Sequence, residues 1–242
     1  MIVFPMVGKG SRFKKAGYNL PKFALPLNNN TTAFRAAIDS FKVYHKEEIF
    51  IFIIREFVDF EVKKFIINEL EKTQIKKFEI IKLDKITSGQ GETVRAGLRV
   101  LEEKFFNEEL TIFNIDSKRN FFKYDQRYRK SPYLEVFVGE GNQWSFAEFA
   151  KTDNSLIRTT EKIRISKYCS NGLYHFNSCS DFIKIYDAKK DEIKKIYGET
   201  YLAPIYNYFL DFNIKCFVKL IDKNKMNFFG TPLEYEAFKN KI

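Results

Sequence analysis

Two glycines and two cations near the beginning of the chain have types and a spacing suited to binding phosphate. Gly8 and Gly10 follow an apolar run, Arg12 comes next, and Lys22 follows further on, directly after Pro21. A strand that ends in a glycine-rich turn leaves backbone N–H groups pointing the same way, and such a concavity binds anions. Arginine can donate to two phosphate oxygens at once, whereas lysine supplies a compact charge. The pattern therefore predicts a polyphosphate site.

Two common phosphate-binding motifs do not fit this turn. The dinucleotide fingerprint requires a third glycine, and this chain has Phe13 at that position. The Walker A motif requires a longer spacing before its Gly-Lys pair, and Gly8-Lys9 lacks that frame. An ordinary strand-to-helix turn with a solvated arginine stays open as the simpler interpretation. The later Pro21-Lys22 pair favours the phosphate site.

Asp116 is the carboxylate best placed to bind a metal ion. It follows an apolar segment at 110–115, and a carboxylate at a strand end can hold Mg²⁺ while water and phosphate oxygens complete the shell. An aspartate that caps a helix or shapes a turn is the alternative.

The elements that must position these residues alternate between strand and helix in the first half of the chain. Apolar runs predict strands at 2–7, 48–54, 78–83 and 110–115. With helices between them, including one at 91–106, the pattern is typical of an α/β fold with a mainly parallel central sheet flanked by helices. Ligands of such sheets bind beyond the carboxyl ends of the strands. We therefore expect the turn at 8–12, the loop at 87–92 and Asp116 to meet at one rim.

The second half of the chain has a different pattern. Two strand-like runs at 133–140 and 142–149 are separated by a glycine-rich segment and predict a hairpin. Further strand and helix signals follow without a regular alternation. This half is expected to be mixed in its strand directions.

Composition narrows the class of protein more than its function. The chain has 242 residues with 41 Lys and Arg against 31 Asp and Glu, a formal net charge of +10, which favours anionic ligands. The lysines are spread along the chain with no basic arm, so nucleic acid is not expected as a partner. No apolar run approaches the roughly 18 residues of a membrane span. The apolar start leaves no room for a signal peptide, and the 3 cysteines show no metal spacing, so we expect a cytoplasmic protein with reduced thiols.

The stretch Pro5-Met6-Val7-Gly8-Lys9-Gly10-Ser11-Arg12-Phe13, followed by Pro21-Lys22, resembles the signature of nucleotidyltransferases that make nucleotide-activated sugars and related phosphates. The resemblance extends over nearly the whole chain. It implies a GT-A-like, Rossmann-like fold and the Mg²⁺-dependent joining of a nucleoside triphosphate to a phosphorylated acceptor, with release of pyrophosphate. Later segments resemble a branch of capsule and surface-polysaccharide assembly that includes a CTP:phosphoglutamine cytidylyltransferase. A cytidylyltransferase acting on CTP, with L-glutamine phosphate as one acceptor to consider, is the implied activity.

The resemblance also implies roles for particular residues. Arg12 and Lys22 would be catalytic, and Asp116 would bind the metal. The nucleotide would contact residues of the first turn and of a second loop: Met6, Val7, Gly8, Gly10, Ser11, Ser88, Gly89 and Gln90. The alternative interpretation of the second loop is a helix start capped by Thr87 or Ser88. Lys162 and Asn171 would bind the acceptor. A single nucleotidyltransferase domain over 1–242 would comprise a nucleotide-binding half at about 1–118 and an acceptor-binding half at about 119–242.

Two departures from related patterns leave alternatives open. Many nucleotidyltransferases carry a second metal-binding aspartate just before a late Gly-Thr pair, but here Phe228-Phe229 precede Gly230-Thr231. Asp222 or Glu199 could replace it, or one carboxylate could suffice. Glycosyltransferases of this fold more often show Asp-x-Asp, whereas here the triplet begins at Asp116 and ends in lysine.

Several alternatives to the cytidylyltransferase reading therefore stay open. They are transfer to a sugar-1-phosphate, use of UTP or another nucleotide, a non-catalytic nucleotide-binding regulator and a basic RNA-binding protein. The residues define neither the acceptor nor the oligomeric state.

Overall fold

The computed structural model describes residues 1–28, 30–101 and 105–240 of the chain. The strands are β1 (Ile2–Pro5), β2 (Pro26–Asn28), β3 (Thr31–Thr32), β4 (Phe50–Ile54), β5 (Phe78–Lys82), β6 (Leu110–Phe113), β7 (Ser117–Arg119), β8 (Tyr133–Val138), β9 (Ser145–Phe149), β10 (Leu156–Glu161), β11 (Tyr168–Phe176), β12 (Phe217–Leu220) and β13 (Met226–Phe228). The α-helices are α1 (Ser11–Lys15), α2 (Ala33–Ile38), α3 (Val62–Leu70), α4 (Gln90–Val100), α5 (Cys179–Tyr197), α6 (Ile205–Asp211) and α7 (Pro232–Lys239). The predicted α/β class, with a mainly parallel central sheet flanked by helices, is confirmed.

The chain divides into two compact units that interleave along the sequence. We call the first the parallel-sheet unit; it comprises Ile2–Ile86, Asn114–Lys123 and Asn224–Ile242. The second, the mixed-sheet unit, comprises Met1, Thr87–Phe113 and Tyr124–Lys223. The expected single domain with halves on either side of residue 118 stays a prediction, and these units do not follow that chain order.

The parallel-sheet unit is built on β1, β4 and β5. Ile2 pairs with Phe50 and Phe50 with Phe78, both in parallel register. Every residue of β4 is buried, which explains its unbroken apolar sequence because a central parallel strand is covered on both faces. Val58, which continues the apolar pattern of α3 in the sequence, instead lies in a turn and is 90% exposed.

Two short antiparallel pairs complete the parallel-sheet unit. β2 pairs with β3, and β13 pairs with β7 so that Phe228 lies opposite Ser117. The second pair brings the C-terminal segment back to the region of Asp116. α7 then begins at Pro232, with Thr231 and Glu234 forming a reciprocal capping box.

The mixed-sheet unit has β11 as its longest strand. All of its residues after the first are buried, and it pairs antiparallel with β6, β8 and β9. The predicted hairpin between 133–140 and 142–149 is wrong, because β11 lies between those two strands. Gly139 N, directly after β8, donates to Lys167 O at 3.1 Å. The end of β8 therefore pairs with the residues that precede β11 and does not turn to pair with β9. β9 forms its antiparallel pair with β10, which the sequence pattern did not reveal.

α4 is shorter in the described structure than the helix expected from the sequence. The helix expected at 91–106 spans Gln90–Val100, and its residues 102–104 lie outside the described residues. The 3 cysteines are free and buried. In the described part of the chain, no helix has the length and apolar character needed to cross a membrane.

Candidate active site

The glycine turn of the parallel-sheet unit opens to solvent directly after two buried residues. Met6 and Val7 are 3% and 2% exposed, so both residues are packed inside the protein. Gly8 is exposed, and among the described residues no atom outside the adjacent backbone lies within 4 Å of the position that a Cβ would occupy on Gly8 or Gly10. Gly10 has a φ of 63°, in the left-handed region that glycine adopts without steric cost. The turn therefore leaves room for a ligand to approach its backbone.

Arg12 is an exposed cation directly after this turn. Ser11 and Arg12 begin α1, and both are exposed. Arg12 forms no ion pair or hydrogen bond through its side chain within the described residues. The next residue, Phe13, is 2% exposed and packs edge-on against Tyr18 and Tyr235 with centroid distances of 5.3 and 6.0 Å. The buried phenylalanine anchors the helix while the arginine stays available to an anion.

Lys22 and Asp116 form an ion pair. Lys22 Nζ donates to Asp116 Oδ2 at 2.5 Å, and the two side chains are 28% and 19% exposed. Lys22 begins a 3-10 helix at Lys22–Ala24, directly after the buried Pro21. The two residues are 94 positions apart in sequence. Tertiary folding thus joins a candidate catalytic cation to the candidate metal ligand.

Gly230 lies against the Asp116 carboxylate, a contact that the sequence did not predict. Phe229 N donates to Asp116 O at 3.0 Å, which extends the β7–β13 pairing by one residue. A Cβ on Gly230 would lie 2.9 Å from Asp116 Oδ2 and 3.7 Å from Glu234 Oε2. Glycine is therefore needed here for close approach, and two carboxylates border the same small space. The Gly-Thr pair was the available signal, but its strand partner could not be read from sequence.

These residues fit a hard cation with oxygen ligands. A Cβ at Gly230 would fill the space beside the Asp116 carboxylate, so the glycine keeps that oxygen accessible. In the part of the chain that the structure describes, no cluster of three or more His, Cys, Asp or Glu side chains could form a complete metal cage. Mg²⁺ commonly binds through one or two carboxylates together with water and substrate phosphates. Asp116 and its surroundings suit that mode of binding.

In the mixed-sheet unit, the loop at 88–92 packs against Thr200. Gly91 N donates to Thr200 O at 2.7 Å, and a Cβ on Gly89 would lie 2.6 Å from Thr200 N. Ser88 donates to the Glu92 carboxylate through its backbone N and its hydroxyl, and these bonds lower the pKa of Glu92. Gly89 is the cap residue of α4, without a side-chain capping bond, so the expected cap by Thr87 or Ser88 is wrong. The half-buried Gln90 begins that helix.

Lys162 of the mixed-sheet unit is exposed and held by Tyr201. Its Nζ donates to the Tyr201 hydroxyl at 2.5 Å and lies 4.6 Å from the ring centroid. This hydrogen bond is the main cause of a raised pKa at Lys162. Its backbone has a φ of 56°, which is uncommon for a residue with a side chain. The preceding Glu161 is 7% exposed, its pKa is raised by burial, and it accepts a hydrogen bond from Ser145.

Asn171 is fully buried and its amide is used within the protein. Its Nδ2 donates to Glu135 Oε2 at 2.9 Å, and its Oδ1 accepts from Leu173 N at 2.9 Å. Glu135 is itself 0% exposed and pairs with Lys219 Nζ at 3.2 Å. A direct contact between Asn171 and an acceptor would require these bonds to rearrange, and its acceptor role stays a prediction. Asp222 and Glu199, considered as substitutes for the second aspartate, are both exposed members of the same unit.

The fold is similar to that of several solved structures with low sequence identity. The UDP-glucose pyrophosphorylase complexed with UDP-glucose has a TM-score of 0.75 at 13% identity over 99% of this chain and 97% of that chain. The inositol-1-phosphate CTP transferase from T. maritima has a TM-score of 0.70 at 14% identity over 99% of this chain and 94% of that chain. At such low identity, these similarities show a shared α/β fold.

A more similar structure shows the family. The nucleoside-diphosphate-sugar pyrophosphorylase from Vibrio cholerae RC9 is 36% identical, with a TM-score of 0.92 over 99% of this chain and 100% of that chain. The chain therefore belongs to the sugar-phosphate nucleotidyltransferase family, and the predicted family is confirmed at that level. Neither a protein-family profile nor a curated protein sequence matches the chain.

Proposed function

We propose that this protein is a Mg²⁺-dependent nucleotidyltransferase that joins a nucleoside triphosphate, CTP by preference, to a phosphorylated small-molecule acceptor. Pyrophosphate is the second product. Membership of the family supports nucleotidyl transfer in general. The preference for CTP, an acceptor such as L-glutamine phosphate and a role in capsule or surface-polysaccharide assembly rest on the resemblance of sequence motifs.

The reaction is a substitution at phosphorus. An oxygen of the acceptor phosphate forms a bond to the α-phosphorus, and the bond from that phosphorus to the oxygen bridging it to the β-phosphate breaks. Pyrophosphate leaves with the bridging oxygen and its electron pair. Such reactions depend mainly on positioning and charge neutralisation. The protein must therefore bring two anions together and stabilise the departing one.

Lys22 and Arg12 are the residues proposed for these tasks. Lys22 offsets the repulsion between the α-phosphate and the incoming acceptor phosphate, and its contact with Asp116 orients the ammonium group. Arg12 is exposed and unpaired within the described residues, so its guanidinium is available to the β- and γ-phosphates. Backbone N–H groups of the turn at 8–11 add neutral donors.

Asp116 would hold the metal ion, which when bound supplies charge neutralisation at the phosphate oxygens. Ser88, Gly89 and Gln90 are proposed to contact the base, and Gln90 can donate and accept hydrogen bonds at its edge. Lys162 is proposed to bind the acceptor phosphate. Asn171, although buried, is also proposed to belong to the acceptor site.

One observation carries the proposal most strongly. Lys22 Nζ and Asp116 Oδ2 lie 2.5 Å apart, and Gly230 leaves the carboxylate uncrowded. Sequence motifs that are far apart in the chain thus supply a cation and a carboxylate to one place. The joint presence of Arg12, Lys22 and Asp116 argues against a chain that has lost its catalytic residues.

A sugar-1-phosphate is the second candidate acceptor. The 36% identical structure from Vibrio cholerae RC9 is described as a nucleoside-diphosphate-sugar pyrophosphorylase. The transfer chemistry would be unchanged, because both acceptor classes present a phosphate oxygen as the nucleophile.

A substrate panel tests the proposed function. Pyrophosphate release would be measured with CTP, UTP, dTTP, ATP and GTP, each with sugar-1-phosphates, choline phosphate or L-glutamine phosphate, and products identified by mass spectrometry. We expect release only when nucleotide and acceptor are both present, with CTP most active. Lys15→Ala, which removes an exposed lysine of α1, is the control for loss of positive charge. No pyrophosphate with any nucleotide would favour the nucleotide-binding regulator, and binding of random RNA at high affinity would favour the RNA-binding alternative.

A further inference from the structure

Arg55 directly follows the last residue of β4, next to the glycine turn. β4 pairs with β1 up to Ile53 and Pro5, and Met6 N donates to Ile53 O at 2.7 Å. The carbonyl of Val7, the residue after Met6, accepts a hydrogen bond from a side chain instead of from the backbone. Arg55 Nε donates to Val7 O at 2.9 Å. The arginine thus continues the hydrogen-bond ladder up to the first peptide of the turn.

We infer that Arg55 is a positioning residue for the phosphate-binding turn, an inference that rests on the proposed nucleotidyl transfer. A trans peptide is planar, with its C=O and N–H pointing in opposite directions. A bond that fixes the Val7 carbonyl therefore also fixes the direction of the Gly8 N–H. Gly8 is exposed and its N–H is a candidate phosphate donor.

The guanidinium of Arg55 is itself held from two further sides. Nη1 donates to Glu56 O at 3.1 Å, and Cζ lies 3.8 Å from the centroid of the Phe57 ring. A planar guanidinium can donate in two directions and stack on a ring at the same time, which a lysine ammonium cannot do. The contact geometry is specific to arginine.

The same contacts connect the turn to the segment that carries Lys22. Phe57 meets Phe23 edge-on with ring centroids 5.9 Å apart, and Phe23 directly follows Lys22. Arg55 therefore links the beginning of the glycine turn, through one aromatic contact, to the neighbour of the proposed catalytic lysine. A shift of the guanidinium would change the spacing of both phosphate-binding elements.

The charge of Arg55 is suited to this place. Its hydrogen-bond acceptors are neutral backbone carbonyls, and among the described residues no carboxylate pairs with it. The guanidinium consequently adds an uncompensated positive charge beside the proposed triphosphate site, where an anion would be attracted.

Arg35 provides a matched control. It belongs to the same unit and also holds backbone carbonyls, with Nη1 donating to Glu69 O at 3.2 Å and Nη2 to Lys72 O at 2.5 Å. Those carbonyls belong to α3 and the turn after it, and neither residue is a candidate ligand contact. An arginine with a purely structural role should behave like Arg35 when it is replaced.

The experiment compares Arg55→Ala, Arg55→Lys and Arg35→Lys with the wild type in folded, full-length protein. We expect both Arg55 variants to lower kcat/KM for the nucleotide about 10- to 100-fold, the loss typical of slight misplacement of reacting groups. Arg35→Lys should lower the melting temperature and leave kcat/KM unchanged. Added guanidinium ion at millimolar concentration should partly restore Arg55→Ala and should not affect Arg35→Lys. Full activity in Arg55→Lys, or a change in melting temperature alone in both Arg55 variants, would overturn the inference.

A binding measurement separates this inference from the proposed function. Calorimetric titration with inorganic tripolyphosphate requires no acceptor and no turnover. We expect binding about 10-fold weaker in Arg55→Ala than in the wild type and in Arg35→Lys, in line with a misplaced donor turn. If the wild type releases no pyrophosphate but this difference is present, the proposed function fails and the positioning role stands. If tripolyphosphate binds equally to all variants, or to none, the positioning role is rejected.

Discussion

The two units of the molecule use their polar groups in opposite ways. In the parallel-sheet unit, Arg12 is exposed and unpaired within the described residues, and Lys22 and Asp116 are 28% and 19% exposed. In the mixed-sheet unit, Glu161 and Asn171 are 7% and 0% exposed and are hydrogen-bonded inside the protein. These groups of the first unit are charged and accessible to solvent, whereas those of the second are buried and hydrogen-bonded inside the protein.

Under the proposed function, the difference matches what each kind of ligand supplies. A triphosphate brings its own negative charge, so a receiving site gains most from cations that are positioned but still accessible. Acceptors that share a phosphate differ in the rest of the molecule, and their discrimination requires polar groups fixed by partners in a low-dielectric surrounding. We therefore expect substitutions of Arg12, Lys22 or Asp116 to affect turnover, and substitutions of Lys162 or its supporting residues to affect affinity for the acceptor.

The largest expected effect is that of Lys22→Ala. Removing the ammonium group deletes a charge aimed at the reacting phosphates and leaves Asp116 without its partner, so kcat should fall by about 10²- to 10³-fold, or ~2–4 kcal/mol of transition-state stabilisation. Steady-state pyrophosphate release measures the loss, and Lys15→Ala should be unaffected.

Lys162→Ala should instead raise the KM for the acceptor. Equal losses of kcat in the two lysine variants would remove the proposed contrast between the units.

An intermediate effect is expected for Gly230→Ala. The added methyl group would lie 2.9 Å from Asp116 Oδ2, and overpacking of this kind costs about 1–3 kcal/mol. The carboxylate should shift away from Lys22, lowering kcat and raising the Mg²⁺ concentration needed for half-maximal rate. Binding of Mn²⁺, followed by electron paramagnetic resonance, provides a readout without turnover.

The control for this variant is Leu233→Ala, which removes a side chain that is 82% exposed on the same segment. Unchanged Mn²⁺ affinity in Gly230→Ala would show that the space beside Asp116 is not the metal site.

The smallest expected effect is that of Tyr201→Phe. The ring would still support Lys162, but the hydroxyl that accepts from Nζ would be lost, at a cost of about 1 kcal/mol. Because the hydrogen bond from Lys162 to Tyr201 is the main cause of the raised pKa of Lys162, its removal lowers that pKa. The alkaline rise in KM for the acceptor should then begin at lower pH, with kcat little changed. Tyr168→Phe, near Lys167, is the matched control, and an identical pH profile in wild type and Tyr201→Phe would contradict the proposed role of Lys162.

Local sequence patterns predicted most of the elements that carry the candidate site. The apolar run of β4 indicated a buried parallel strand, because an apolar run is a property of neighbouring residues alone. The hairpin expected around Gly139 was wrong since strand order depends on β11, which follows later in the chain. Arg55 gave no recognisable signal, because its proposed positioning role depends on a contact with Val7, 48 positions away.

The sequence by itself determined the fold class, the family resemblance and the types of residue available for phosphate chemistry, because motif spacing and apolar periodicity are properties of short segments. Only the tertiary structure decided that Lys22 meets Asp116 and that Gly230 borders the carboxylate. The contact of Gly230 depends on the pairing of β7 with β13, which joins segments more than 100 residues apart. Such pairings are selected by the packing of the whole unit, and no local pattern encodes them.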